Sequence, residues 1–261
     1  MTENQSLVGV DFKEGYIAII DKPLEWTSTD VVRKIKYALQ HRLGYKKIKI
    51  GHAGTLDPLA TGVLIVCIGK ATKMVNDLQA EEKEYIADIE LGATTPSYDL
   101  EHPIDHTFPT DHITEEEIRR VLSEQFTGDI MQVPPVFSAC KVDGKRAYDL
   151  ARKGKQPELQ AKPLRIDSIE LTRCNLDNSE IDLRICCSKG TYIRALARDI
   201  GIALRSGAHL TALRRTRVGE ADISHCFATI DDFEQWLGGI EVETELPANP
   251  DERAPIGIYP E

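Results

Sequence analysis

Apolar positions recur along this chain at two spacings, one of two residues and one of three to four, and the changes between them mark out the elements. Gly15–Ile20 is a continuous apolar run that stops at Asp21-Lys22-Pro23, as a buried strand would. Next, Thr27, Ser28 and Thr29 offer amino-terminal caps for a helix near 29–40. Val31, Val32, Ile35, Ala38 and Leu39 form its apolar stripe, leaving Arg33, Lys34 and Lys36 largely outside it. Val63–Ile68 is a second apolar strand, and in 85–91 the residues Tyr85, Ala87, Ile89 and Leu91 share one strand face. Thr114 and Glu117 have the spacing of a capping box before a helix whose core side is Ile118, Val121, Leu122 and Phe126. Ile181, Leu183, Ile185 and Cys187 alternate with polar neighbours as another half-buried strand. Ser188-Lys189-Gly190-Thr191 then turns the chain into a helix near 192–205 that buries Ile193, Leu196, Ala197, Ile200 and Leu204. Arg194 and Arg198 stand at i, i+4 on it, with Arg205 on a nearby azimuth. A last short helix is expected near 231–237. Strands and helices mix without strict βαβ alternation, which predicts an α+β fold.

Composition changes that picture little, but charge changes it more. The 261 residues suffice for one large domain or a domain plus an appendage, and no apolar run is long enough to span a membrane. The amino terminus lacks the basic and apolar regions of a signal peptide. Six cysteines without a Cys-x-x-Cys pair, two of them adjacent, suggest reduced thiols and a cytoplasmic location. His102 and His106 have helical spacing but sit in a Pro- and Asp-rich stretch without a third ligand nearby, so no metal site is expected. The net charge of −10 comes wholly from residues 220–261, which hold eleven acids and one base; the rest of the chain balances. Within that neutral body, 31–49 has seven bases and no acid, and 184–217 has eight bases and one acid. Such segregation permits a positive face, fit for nucleic acid, on an acidic protein.

One run stands apart chemically. Residues 51–62 read Gly-His-Ala-Gly-Thr-Leu-Asp-Pro-Leu-Ala-Thr-Gly, with a single carboxylate, Asp57, among uncharged neighbours. Pro58 biases Asp57 toward extended backbone, and the glycines allow tight turns or close approach to a ligand. A lone acid on a stiff loop suits a nucleophile or a charge stabiliser. It equally suits a glycine-rich turn whose Asp bonds its own backbone.

The stretch 51–73, GHAGTLDPLATGVLIVCIGKATK, resembles the signature of the TruB-type tRNA pseudouridine synthases. Three more segments match in order. DKPLEWTSTDVVRKIK (21–36) resembles the family's Lys-Pro motif, with Trp26 where a smaller or thioether residue is usual. VPPVFSACKVDGKRAYDLARKG (133–154) resembles its RNA-contacting insertion, and 187–216 its second active-site motif. Four ordered motifs make a specific signal. The resemblance implies a central, mostly antiparallel mixed sheet flanked by helices and loops. It also implies a catalytic domain over 1–230, with 132–164 as an insertion that orders on RNA. Residues 231–261 would then be a short helix and an acidic tail, disordered from about 241, rather than a full PUA domain.

The implied activity is an isomerase reaction: the T-loop uridine, position 55 of tRNA, becomes pseudouridine. By resemblance Asp57 attacks or stabilises the ribose C1′ or the pyrimidine C6, Arg194 pairs with it, and Tyr85 packs on the flipped base and helps the C5 proton leave. Tyr192 fixes the pocket by hydrogen bonding, His52 contacts RNA beside the displaced nucleotide, and Leu213 forms a pocket wall. Lys22, Lys141 and Arg214 are candidate phosphate contacts. No cofactor is expected, since the sequence has no nucleotide-binding loop, metal cluster or activated Cys or Ser motif. The expected partner is the tRNA T-arm, engaged by a monomer without a guide RNA. An RNA-folding chaperone that needs no chemistry is the second reading, because flipping a T-loop base also opens the tRNA elbow. A guide-dependent synthase is a third, disfavoured by the short carboxyl-terminal region.

Overall fold

The computed structural model describes residues 10–138, 140–142, 145–146 and 159–240. In chain order its elements are β1 (Tyr16–Lys22), α1 (Ser28–Leu43), β2 (Ile50–His52), β3 (Ala60–Ile68), α2 (Val75–Ala80), β4 (Lys83–Leu91), β5 (Ala93–Thr94), β6 (His106–Thr107), α3 (Glu115–Gln125), β7 (Gly128–Gln132), β8 (Lys141–Val142), β9 (Lys145–Arg146), β10 (Lys162–Asn175), β11 (Glu180–Cys187), α4 (Ile193–Ala203), β12 (Ala208–Val218), β13 (Ala221–Asp222) and α5 (Ile230–Gly238). They fall into two compact units, residues 1–81 with 216–261 and residues 82–215.

The first unit is built on β3, which pairs antiparallel with β1 from Tyr16↔Ile68 to Lys22↔Gly62 and with β2 from Ile50↔Ile68 to His52↔Val66. All of β1 except Asp21 is buried, as a continuous apolar run requires when both faces of a strand are covered. Ile17, Ile19, Val63, Ile65 and Cys67 pack with Ala53, Ala71, Val218 and Ala221. A second cluster is aromatic: Trp236 stacks on Tyr16 at 5.2 Å, Phe12 stands edge-on to Tyr16 at 5.4 Å, and Phe227 and Phe233 close it from α5 and the segment before it. An isolated parallel bridge, Ile20↔Phe227, makes this otherwise antiparallel arrangement mixed.

Of the three candidate caps, Thr27 is the one that α1 uses. Thr27 Oγ1 accepts from the Asp30 amide at 3.1 Å, and the Asp30 carboxylate accepts from the Thr27 amide at 3.0 Å. The helix buries Val31, Ile35, Ala38 and Leu39 and ends at Gly44, whose φ of 68° is left-handed. Arg33, Lys36, Arg42, Lys46, Lys47 and Lys49 stay at the surface, while Lys34 pairs with Glu234 on α5 at 3.1 Å. The basic run 31–49 therefore keeps most of its charge exposed.

In the second unit β4, β11, β10 and β7 lie side by side in that order, all antiparallel. Ile181, Leu183, Ile185 and Cys187 are fully buried opposite Ile89, Ala87, Tyr85 and Lys83, so the period-two pattern reports one covered face. α4 packs on β4, and α3 packs on β10 and α4. α4 ends at Ala203, earlier than its apolar period suggests, because Arg205 adopts φ 55° and the Ser206 amide turns back onto the Gly201 carbonyl at 2.9 Å. α3 keeps only half of its expected box: Thr114 Oγ1 accepts from the Glu117 amide, but the Glu117 carboxylate takes Arg120 at 2.9 Å instead. β12 carries the chain from this unit into the first, where β13 pairs with its end at Arg217↔Asp222. Antiparallel strands with helices laid on them make both units α+β. Within 132–164, the stretch expected to be an insertion, β8 and β9 form a two-rung ladder. Most of the rest of that stretch, and the whole acidic tail 241–261, lie outside the described residues, as does any ordering or disorder there.

Candidate active site

The Asp57 loop is held from both sides by backbone anchors within the first unit. Ala53 donates to the Ile65 carbonyl at 2.9 Å, which ties the start of the loop to β3. Gly54 has φ 107°, a backbone shape that side chains disfavour, and so explains one of the motif's glycines. Leu56, just before Asp57, donates its amide to Ser28 Oγ at 2.8 Å, and the same hydroxyl contacts the Leu56 carbonyl at 3.0 Å. Pro58, just after Asp57, has its carbonyl held by the Glu25 amide at 2.8 Å and by the Lys22 ammonium at 3.3 Å. Ala60 closes a turn onto the Asp57 carbonyl at 3.0 Å. The Asp57 side chain is half-buried and so are Gly51 and His52, the latter at the end of β2.

Lys22 departs from expectation. It is fully buried, and its ammonium also donates to the carbonyls of Pro23 at 2.8 Å and Trp26 at 2.5 Å. A buried cation on three carbonyls is an internal support of the loop, not a phosphate contact: a phosphate could reach it only if the chain that covers it moved. The Lys-Pro segment and the Asp57 loop are thus joined through one ammonium.

In the second unit Tyr85 lies on the inner face of β4, only 8% exposed. Tyr192 is the cap of α4 and Arg194 stands in its first turn. Arg194 points inward, 6% exposed, with Nη1 on the Ser97 carbonyl at 3.1 Å, Nη2 on the Phe137 carbonyl at 3.0 Å and Nε 3.5 Å from the Asp99 carboxylate. Arg198 is half-buried, bonds Asp199 at 2.8 Å and the Val133 carbonyl at 2.9 Å, and lies over the Tyr98 ring at 5.1 Å. Arg215 is 2% exposed. The run 184–217 therefore turns much of its charge inward, and its positive face is smaller than the count of bases implied. Leu213 and Arg214 are half-buried on β12. Lys141 lies in β8, paired with Arg146, and its side chain is outside the described residues.

Asp99 and Gln132 escaped the sequence reading, and Ser28 entered it only as a candidate helix cap. Gln132, 2% exposed, accepts from the Tyr192 amide at 2.9 Å and donates to the Tyr192 carbonyl at 3.2 Å. Asp99 carried only a partial signal: it follows the uncharged, turn-rich stretch 91–98, but Glu101 stands two residues on, so it lacks the isolation that singled out Asp57. Its backbone is fixed by Thr95 Oγ1 at 2.7 Å, and its carboxylate accepts from the Glu101 amide at 3.0 Å. Neither Gln132 nor the hold of Ser28 on the loop carried a signal, because a hydroxyl or amide gripping a distant peptide leaves no local pattern. Burial pushes the Cys187 thiol up to about 12 and the Cys67 thiol up to about 11, which disfavours the thiolate at either. Among the described residues no three His, Cys, Asp or Glu side chains are grouped to hold a metal, and no helix is long and apolar enough to cross a membrane.

Comparison with known proteins bears on these motifs directly. The model of the TruB family pseudouridylate synthase amino-terminal domain matches residues 40–193, and that of the tRNA pseudouridylate synthase B carboxyl-terminal domain matches 194–246. The chain belongs to the TruB family. The tRNA pseudouridine synthase B of Phocaeicola vulgatus is 62% identical over 234 residues, covering 90% of this chain and 98% of that protein. That of Bacteroides thetaiotaomicron is 58% identical over 242 residues, covering 92% and 100%. Among solved structures, a Cbf5–Nop10–Gar1 complex matches at 29% identity and a TM-score of 0.63, over 92% of this chain and 64% of that one. The archaeal box H/ACA sRNP Nop10–Cbf5 complex matches at 29% and 0.61, over 86% and 54%. The chain thus spans between about half and two thirds of those Cbf5 chains. The family fold is the α+β arrangement expected from the motifs.

Proposed function

We propose that this enzyme of the TruB family is a tRNA pseudouridine synthase that isomerises the T-loop uridine, with Asp57 as the acting carboxylate. The observation that carries the reading is the Asp57 loop itself: a half-buried acid gripped at the residue before and the residue after it, inside the stretch matched by the pseudouridylate synthase model. Pseudouridine formation breaks the C1′–N1 bond, turns the base and joins C1′ to C5, after which the C5 proton leaves. No electron is transferred and no water enters the product. An anion fixed beside the sugar or base serves either route, attack at C1′ or attack at C6, and a fixed anion needs no reorganisation as charge develops.

The T-loop uridine is stacked and must be flipped out to react. Tyr85 offers it an apolar ring on a rigid strand and a hydroxyl near the departing proton; stacking on such a ring is worth roughly 1–3 kcal/mol per base. Tyr192 orients the pocket, His52 contacts the RNA beside it, and Leu213 forms part of the wall. Arg194 supplies a guanidinium held in one orientation by Asp99, Ser97 and Phe137. The exposed bases of 31–49 supply phosphate contacts, with Lys141 and Arg214 as further ones. The isolated T-arm stem-loop is sufficient substrate, with no guide RNA and no cofactor.

Asp57→Asn tests the reading. The change keeps size and hydrogen-bonding reach and removes the negative charge that both routes need. Pseudouridine formation falls below detection while tRNA binding persists, because phosphates and stacked bases supply the affinity. Turnover within tenfold of the unaltered protein would overturn the assignment of Asp57. The same variant separates the enzyme from a chaperone that opens the tRNA elbow, whose function would survive it.

A further inference from the structure

Asp57 follows Leu56, and Tyr192 opens the helix that carries Arg194. Each of these two backbone residues is gripped at both its N–H and its C=O by one buried side chain from a remote part of its own unit. Ser28 Oγ holds Leu56, 28 residues away, at 2.8 and 3.0 Å. The Gln132 amide holds Tyr192, 60 residues away, at 2.9 and 3.2 Å. We propose that Ser28 and Gln132 are positioning residues, which set where Asp57 and Arg194 stand without touching substrate.

The local needs of the chain do not account for either grip. Ser28 is the first residue of α1, where a hydroxyl commonly serves the helix end. Here Thr27 already closes the reciprocal box with Asp30, so the Ser28 hydroxyl is not needed for capping. It is 2% exposed and turned to the loop instead. Leu56, 3% exposed, has no sheet partner, so its amide and carbonyl meet their hydrogen bonds at this one oxygen. The other side of Asp57 is fixed through the Pro58 carbonyl, and two fixed flanks leave the aspartate little freedom of backbone.

Gln132 is the one buried residue of β7, at its last position. Tyr192 has β-region dihedrals (φ −99°, ψ 105°), and its side chain does not cap α4. Its carbonyl accepts the first helical bond from the Leu196 amide at 3.0 Å as well as the Gln132 amide, so both lone pairs are engaged. The planar Gln132 amide therefore sets where α4 begins, and Arg194 follows two residues later. A shift of about 1 Å in a reacting group is enough to cost about a hundredfold in rate.

The inference rests on the reading of Asp57 and Arg194 as acting groups, and the experiment separates the two. Ser28→Ala and Gln132→Met are compared with Asp57→Asn on the T-arm stem-loop, reading kcat and KM at a temperature where the unfolding midpoint shows each variant folded. Both positioning variants are expected to lose about ten- to a hundredfold in kcat, with KM within about twofold. Gln132→Glu, which keeps the acceptor for the Tyr192 amide, and Ser28→Cys, which keeps a weak donor, are expected to recover part of that loss. Folded Ser28→Ala or Gln132→Met with unchanged kcat overturns the role of that residue and leaves it a stability contact. A rise in KM at unchanged kcat also overturns it. Should Ser28→Ala be unfolded at the assay temperature, Ser28→Cys is read against the same criteria, and Gln132→Glu likewise for Gln132→Met. An active Asp57→Asn would instead defeat the underlying reading, whatever the other variants do.

Discussion

Asp99→Asn tests whether Arg194 is set by a desolvated ion pair. The two side chains are 7% and 8% exposed, so their attraction is screened little by water. Removing one partner of a buried pair costs about 3–5 kcal/mol, because the other charge is left uncompensated. Three features of this pair lower that figure. The Nε–Oδ2 separation is 3.5 Å, long for a charge-assisted hydrogen bond. Arg194 retains the Ser97 and Phe137 carbonyls at 3.1 and 3.0 Å. An asparagine also fills the same volume and its Oδ1 can still accept from the Glu101 amide, now 3.0 Å from the carboxylate. The expected loss is therefore about 2–3 kcal/mol. At about 2–4 °C per kcal/mol for a chain of this size, the thermal midpoint should fall by roughly 4–12 °C. Circular dichroism melts with a urea titration to check that m is unchanged would measure it. A double-mutant cycle with Arg194→Met isolates the pairwise part. A midpoint within about 1 °C of the unaltered protein, at unchanged m, would refute the view that the Asp99 charge holds Arg194 in place.

Three further expectations follow from particular residues. Asp88 faces Asp182 across β4 and β11, and burial followed by that neighbouring charge holds its carboxyl above the usual range. A raised acid pKa in the folded state lowers stability at neutral pH, so Asp88→Asn should stabilise by about 0.2–1 kcal/mol at pH 7. That gain should fade as pH falls through the raised value toward about 3.9; a gain that persists at pH 3 would refute the cause. Glu25 is exposed with φ 66°, so Glu25→Gly should be neutral or stabilise by up to about 1 kcal/mol in urea titrations, and a clear loss would show that its side chain matters. Lys46→Ala with Lys47→Ala should weaken tRNA binding and reduce the slope of log affinity against log salt by about 2, whereas removal of 241–261 should leave binding intact or tighter; loss of binding on that truncation would refute the assignment of affinity to the basic face.

Much of this molecule is readable in its residues because the relevant physics is local. Period-two burial from Tyr85 to Leu91 and from Ile181 to Cys187 needs only a covered sheet face. The Thr27–Asp30 box needs only three residues of chain. Asp57 is conspicuous as a single charge in an uncharged turn, whereas Asp99, with Glu101 two residues on, is less so. The sequence also fails in recognisable places. Lys22 reads as an exposed base but is an internal strut, and Arg194 and Arg215 read as part of a positive face but are buried. A charged side chain's direction depends on which carbonyls and carboxylates the fold places within its reach, and those come from residues far along the chain. The grips of Ser28 on Leu56 and Gln132 on Tyr192 are of the same kind. The order of motifs, most of the elements and the candidate carboxylate follow from sequence by itself, since each is set by neighbours along the backbone or by resemblance to the family. Which polar groups hold those motifs in place was decided only by tertiary structure, because a hydrogen bond across 28 or 60 residues forms only after the sheets have closed over it.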